Sequence, residues 1–160
     1  MSAPRPPVEH RFAAPGGSLC WFEWGQARAD RLSLLLIHAT GFHARCWDQV
    51  VAALPDDWHI VAPDMPGHGR SFTPDNLFDW AWAADQIAAL VASLNGLSFV
   101  GIGHSMGGHL LALVAAAMPD RFDRLLLVDP VIRSPDDYAP GVADAAVDRQ
   151  AAEFADAAVV

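Results

Sequence analysis

The sequence predicts an α/β fold, a mostly parallel sheet with helices on both faces, and three observations predict it. Apolar β-like runs alternate with helix-like stretches along the chain. The inner runs are apolar at nearly every position, as strands buried on both faces must be. Tight Pro- and Gly-rich loops follow several of these runs, at the strand ends where such sheets bind their ligands. With 160 residues, 52% of them hydrophobic, the chain has the material for one substantial core.

Each element has its own signal. Val8 to Ala13 and Leu19 to Trp24 flank the turn signal Pro15-Gly16-Gly17 and read as a hairpin. Leu32 to Ile37 is continuously apolar and reads as a central strand, ending in the loop His38-Ala39-Thr40-Gly41-Phe42. A helix over Arg45 to Leu54 closes at Pro55, and Trp58 to Ala62 is a short strand before the tight loop Pro63 to Ser71. Between Asp79 and Leu94, Trp80, Ala83, Ala84, Ile87, Leu90, Val91 and Leu94 recur at helical spacing, and Gly96 supplies a stop. The strand Ser98 to Ile102 then leads through Gly103-His104-Ser105-Met106-Gly107 into the apolar helix ending at Met118-Pro119, and Arg124 to Val128 is the last strand. Beyond Asp129-Pro130, Ser134-Pro135-Asp136-Asp137 resembles a helix start, and the text from Ala143 to Val160 is alanine-rich.

Composition excludes several functions. The net charge is -9, and all ten basic residues are scattered arginines, so the electrostatic footprint of a nucleic-acid binder is missing. Without lysine there is no P-loop. Cys20 and Cys46 lack metal-ligand spacing and read as buried small hydrophobes; no metal or other cofactor is expected. No apolar stretch reaches bilayer-spanning length and the opening lacks a secretory h-region, which leads to the expectation of a cytoplasmic protein with no membrane partner.

Gly103-His104-Ser105-Met106-Gly107 is the informative motif. A Gly-x-Ser-x-Gly turn between strand and helix forces the serine into a strained backbone, and side chains at the flanking positions would strike the neighbouring elements. The hydroxyl is then presented at a helix N-terminus, where free amides favour developing negative charge. An attacking serine also needs a base and donors for an oxyanion. The expected donors are the backbone amides of Met106 and Thr40, with Gly41 and Phe42 as substitutes for Thr40.

With His38-Ala39-Thr40-Gly41-Phe42-His43, Asp64-Met65-Pro66-Gly67-His68-Gly69-Arg70-Ser71 and Gly103-His104-Ser105-Met106-Gly107-Gly108 in order, residues 8 to 132 resemble the α/β-hydrolase superfamily, especially its lipase- and esterase-like serine hydrolases. The resemblance implies strand order 1-2-4-3-5-6, with the first strand antiparallel or paired at the edge. It implies a core portion over residues 1–133 and the start of an incomplete helical cap over 134–160. It further implies Ser105 as catalytic nucleophile, an acyl-enzyme mechanism and a small-molecule carboxylic ester as substrate, with no cofactor.

The same family runs serine, acid, histidine in chain order. Here the only histidine after Ser105 is His109, four residues into the same helix and poorly placed as base. The expectation is therefore a truncated, nearly inactive hydrolase lacking strands 7 and 8. Asp129 is a candidate acid, set against a capping or loop-bonding role. Alternatives on the same site are carbon–carbon hydrolysis, cofactor-free haloperoxidation and cyanohydrin cleavage. A different class is a non-catalytic fragment that self-associates through the exposed edge of the sixth strand.

Overall fold

A computed structural model describes residues 6–75 and 79–132. The proposed cap segment, 134–160, lies outside the described residues, as does Arg133. The chain begins with a hairpin, β1 (Val8–Ala14) and β2 (Gly17–Trp24), followed by β3 (Ser33–Ile37). A 3-10 turn (Ala44–Trp47) runs into α1 (Asp48–Ala53), and β4 (Ile60–Pro63) leads on to α2 (Trp80–Ser93). Then come β5 (Phe99–His104), α3 (Met106–Ala117) and β6 (Phe122–Val128).

The strands form one sheet in the order β1-β2-β4-β3-β5-β6, as the resemblance implied. Strands β4, β3, β5 and β6 are mutually parallel, whereas β2 opposes β4 and β1 opposes β2. The register that matters most pairs Ile37 with Gly103, which brings the exits of β3 and β5 to the same level.

Every residue of β3 is buried, and its side chains alternate between two cores. Leu35 and Ile37 pack with Ile87, Leu90 and Val91 of α2 and Leu110, Leu111 and Val114 of α3. Leu34 and Leu36 join Phe22, Trp24, Ile60 and Val51 on the opposite face. Asp79 caps α2 by accepting a hydrogen bond from the Trp82 amide at 2.9 Å.

Coverage of the second face departs from the expected two-sided burial. Among the described residues the helix there, α1, is six residues long. Val100 and Ile102 remain half-buried, and Leu126 and Val128 are 55% and 44% exposed. Beside them lies a cavity of about 700 Å³ lined by Leu34, Leu54, Trp58, Val100, Ile102 and Arg124, among others. Cys20 is buried as expected, but Cys46 is exposed, because the 3-10 turn that carries it lies at the surface.

Opposite the Ser105 end of the sheet, polar side chains tie four strands together. Glu23 on β2 bonds His10 of β1 at 2.8 Å and His59, just before β4, at 2.9 Å. The other nitrogen of His59 meets Ser33 Oγ of β3 at 2.7 Å. His59 is buried, so its partners are needed to satisfy its ring. Removing Glu23 strands a buried imidazole nitrogen. Glu23→Ala is expected to lower unfolding free energy by about 1–3 kcal/mol, read by urea titration, with His10→Ala costing less because His10 is part-exposed.

Candidate functional site

Ser105 sits between β5 and α3 with φ 52° and ψ -120°. A non-glycine residue in the left-handed region is strained, and neighbouring bonds hold it there. Its amide donates to Val128 O at 2.9 Å, while its carbonyl accepts from Gly108 N at 3.0 Å and His109 N at 3.2 Å. A Cβ on Gly103 would lie 2.5 Å from Gly107 O; one on Gly107 would strike His38 O and come within 2.5 Å of Ile37 O. Backbone cannot yield as a side-chain tip can. The Ser105 side chain is half-buried and makes no capping bond to the first amides of α3.

The loop after β3 reaches the same place. Phe42 N bonds Ala39 O at 3.2 Å, closing a turn in which Gly41 has φ 78°. Thr40 Oγ1 donates to Met106 Sδ at 3.2 Å, so Thr40 stands beside the first residue of α3. Ser105, Met106 and Thr40, the three residues singled out in the sequence, are thus brought together.

Two buried polar groups brace this loop. His38 Nε2 accepts from Met65 N at 3.1 Å, which fixes the proton on Nδ1, donated to Ala39 O at 2.8 Å. That pattern requires a neutral ring, and burial depresses the His38 pKa to about 4. Asp64 accepts from Ala44 N at 2.6 Å and Arg70 N at 2.8 Å, joining the loop after β3 to the loop after β4.

The remaining candidates are placed as follows. His109 Nδ1 donates to Val131 O at 2.8 Å and its ring lies edge-on to Trp80, 5.3 Å between centroids, so it ties α3 to the segment after β6. Asp129 has φ 45° and an exposed side chain. Phe42, the substitute donor, has a side chain that is 54% exposed. Among the described residues no cluster of histidine, cysteine or carboxylate side chains could hold a metal ion. No helix there is long and apolar enough to cross a membrane.

Residues 34–159 match the alpha/beta hydrolase family. The chain belongs to it. It is 32% identical over 123 residues to a serine hydrolase-like protein of Danio rerio, covering 76% of this chain and 37% of that one. It is 38% identical over 105 residues to lipase LipV of Mycobacterium tuberculosis, covering 62% of this chain and 37% of the lipase. Among solved structures, a membrane phospholipase A described as a bacterial virulence factor superimposes with TM-score 0.72 at 31% identity, over 81% of this chain and 41% of that chain. The chain thus spans well under half the length of these hydrolase relatives.

Two outcomes are expected from this geometry. Gly107→Ala pushes a methyl group against the exit of β3 and is expected to cost about 3 kcal/mol in urea unfolding. Unfolded histidine takes up a proton near pH 6.5 while His38 resists until about pH 4, so stability falls as pH drops through that window. The expected loss is about 3 kcal/mol, and His38→Asn, which cannot titrate, removes that His38 contribution when unfolding is measured at successive pH values.

Proposed function

We propose that this chain carries the nucleophile and oxyanion-binding part of a serine hydrolase that acts on a carboxylic ester through an acyl-enzyme. The observation that carries the reading is Ser105 held in a left-handed turn at the head of α3, its flanking glycines leaving no room for a side chain. In this reading the Ser105 hydroxyl attacks the ester carbonyl, and the amides of Met106 and Thr40 receive the oxyanion. Helix α3 adds its positive end to the same spot. The names of the Danio rerio and Mycobacterium tuberculosis relatives, a serine hydrolase-like protein and a lipase, support the reaction class.

The base is not among the seven histidines. His10 and His59 serve Glu23, His38 braces its loop, His68 bonds Pro66 O and His43 accepts from Arg45 N. His109 is held by Val131 O, and His104 belongs to β5 itself. The chain alone is therefore nearly inactive, since loss of the base costs about 10⁶-fold in turnover in a serine hydrolase triad. We place it in the cytoplasm, a compartment that suits its two free thiols.

A second reading has its own observation. The outer edge of β6 pairs with no described strand, and Leu126 and Val128 are exposed beside it, so two copies can join there. Sedimentation over a range of concentrations is expected to show self-association that Leu126→Lys weakens; a monomer throughout removes this reading. For the hydrolase reading, a fluorophosphonate probe is expected to label Ser105 slowly, with Ser105→Ala abolishing the adduct in intact-mass spectra. Rapid labelling would contradict the missing base.

A further inference from the structure

We propose that the Thr40 hydroxyl is a positioning group: by donating to Met106 Sδ at 3.2 Å it holds the tip of the loop after β3 against α3, and so sets the spacing of the two amides that receive the oxyanion. This inference rests on the assignment of Ser105 as nucleophile, with the Thr40 and Met106 amides as oxyanion donors.

The loop is fixed firmly at both ends and lightly in the middle. At its start, His38 is buried, accepts from Met65 N and has its carbonyl against Gly107. At its far end, Ala44 is buried and gives its amide to Asp64. Between them Gly41, Phe42 and His43 are exposed. A Cβ on Gly41 would meet nothing within 4 Å, so no neighbour presses on the tip there. Phe42 N donates to Ala39 O, a bond inside the loop that leaves its distance from α3 unset. Among the described residues, the Thr40 hydroxyl makes the one hydrogen bond that ties residues 40–42 to α3. Backbone contacts bring the loop to the helix, and this bond sets where its tip comes to rest.

The other end of the bond is rigid. Met106 is 6% exposed and belongs to the same core as Ile37, Met65 and Leu110. A thioether is a weak acceptor, so the contact matters for geometry more than for stability. Thr40 is β-branched and stiff about χ1, which passes the constraint from its hydroxyl to its own backbone. Met106 opens α3, and its amide has no intrahelical partner. An oxyanion is stabilised only by donors already in place when charge develops. Loss of the tether therefore slows the chemical step and leaves the encounter with the reagent alone.

The test reads labelling of Ser105 by a fluorophosphonate over a range of probe concentrations, with rates expressed per folded chain after urea titration of each variant. In that step the Oγ–P bond forms, the P–F bond breaks, fluoride leaves and the proton passes to water. Thr40→Val keeps the branching and lacks the hydroxyl. It is expected to lower the maximal labelling rate about tenfold, short of the loss of about 10²-fold or more that removing a donor outright brings, with the half-saturating probe concentration unchanged. Thr40→Ser is expected to restore most of that rate. Met106→Leu keeps the volume and removes the sulfur; combined with Thr40→Val it should fall no further than either change alone. A probe with P=S in place of P=O offers the amides a poorer acceptor, so the difference between the parent chain and Thr40→Val should shrink.

The proposal is overturned if Thr40→Val labels as fast as the parent chain, if Thr40→Ser is as slow as Thr40→Val, if the two changes multiply, or if both probes show the same ratio. Complete absence of labelling at Ser105 in the parent chain overturns the nucleophile assignment and this inference together.

Discussion

Three stretches of backbone meet with no side chain between them: the exit of β3, the exit of β5 and the first turn of α3. Gly107 faces the carbonyls of Ile37 and His38, and Gly103 faces the carbonyl of Gly107. The pairing of Ile37 with Gly103 sets the level at which this happens. Because the contacts are between backbones, the spacing is that of van der Waals surfaces and does not depend on any rotamer. Ser105 inherits its strained torsions from that closeness, and Thr40 inherits its place beside Met106.

The strain is balanced by polar groups that are themselves satisfied. Neutral His38 accepts one backbone N–H and donates to one backbone carbonyl, which leaves its buried ring with no unmet valence. The Asp64 carboxylate links two loops through their amides, and Gly69 has φ 52° and no side chain, leaving the carboxylate the room it occupies. Hydrophobic packing sets where the helices lie on the sheet. These hydrogen bonds then set where the loops lie relative to the helices.

Much of this was legible in the sequence because it depends on local pattern. Continuous apolar runs marked β3 and β5, the helical period marked α2, and glycines at 103 and 107 marked the turn between β5 and α3. Other features depend on contacts distant in sequence and left no periodic trace. The bond from Asp64 to the Ala44 amide spans 20 residues, and the Glu23 bonds to His10 and His59 span 13 and 36. Single polar residues in strands carry no label saying which partner will satisfy them. The exposure of Cys46 was missed because helical spacing over Arg45 to Leu54 concealed a 3-10 turn, whose tighter winding rotates that residue toward solvent. Uniformly apolar strands likewise implied two covered faces, and only the three-dimensional arrangement shows that, among the described residues, a helix of six residues packs on the second.

Among the described residues the strand β6 is paired along one side only, and Leu126 and Val128 on it are exposed. Such a strand opens at lower free energy than the interior of a sheet. Since the Ser105 amide is anchored to the last carbonyl of that strand, fraying there releases one of the bonds that keep the serine in its contorted state. The conformation of this turn is accordingly coupled to how firmly the sheet's margin is clamped, and whatever pins that margin also pins the bend at residue 105.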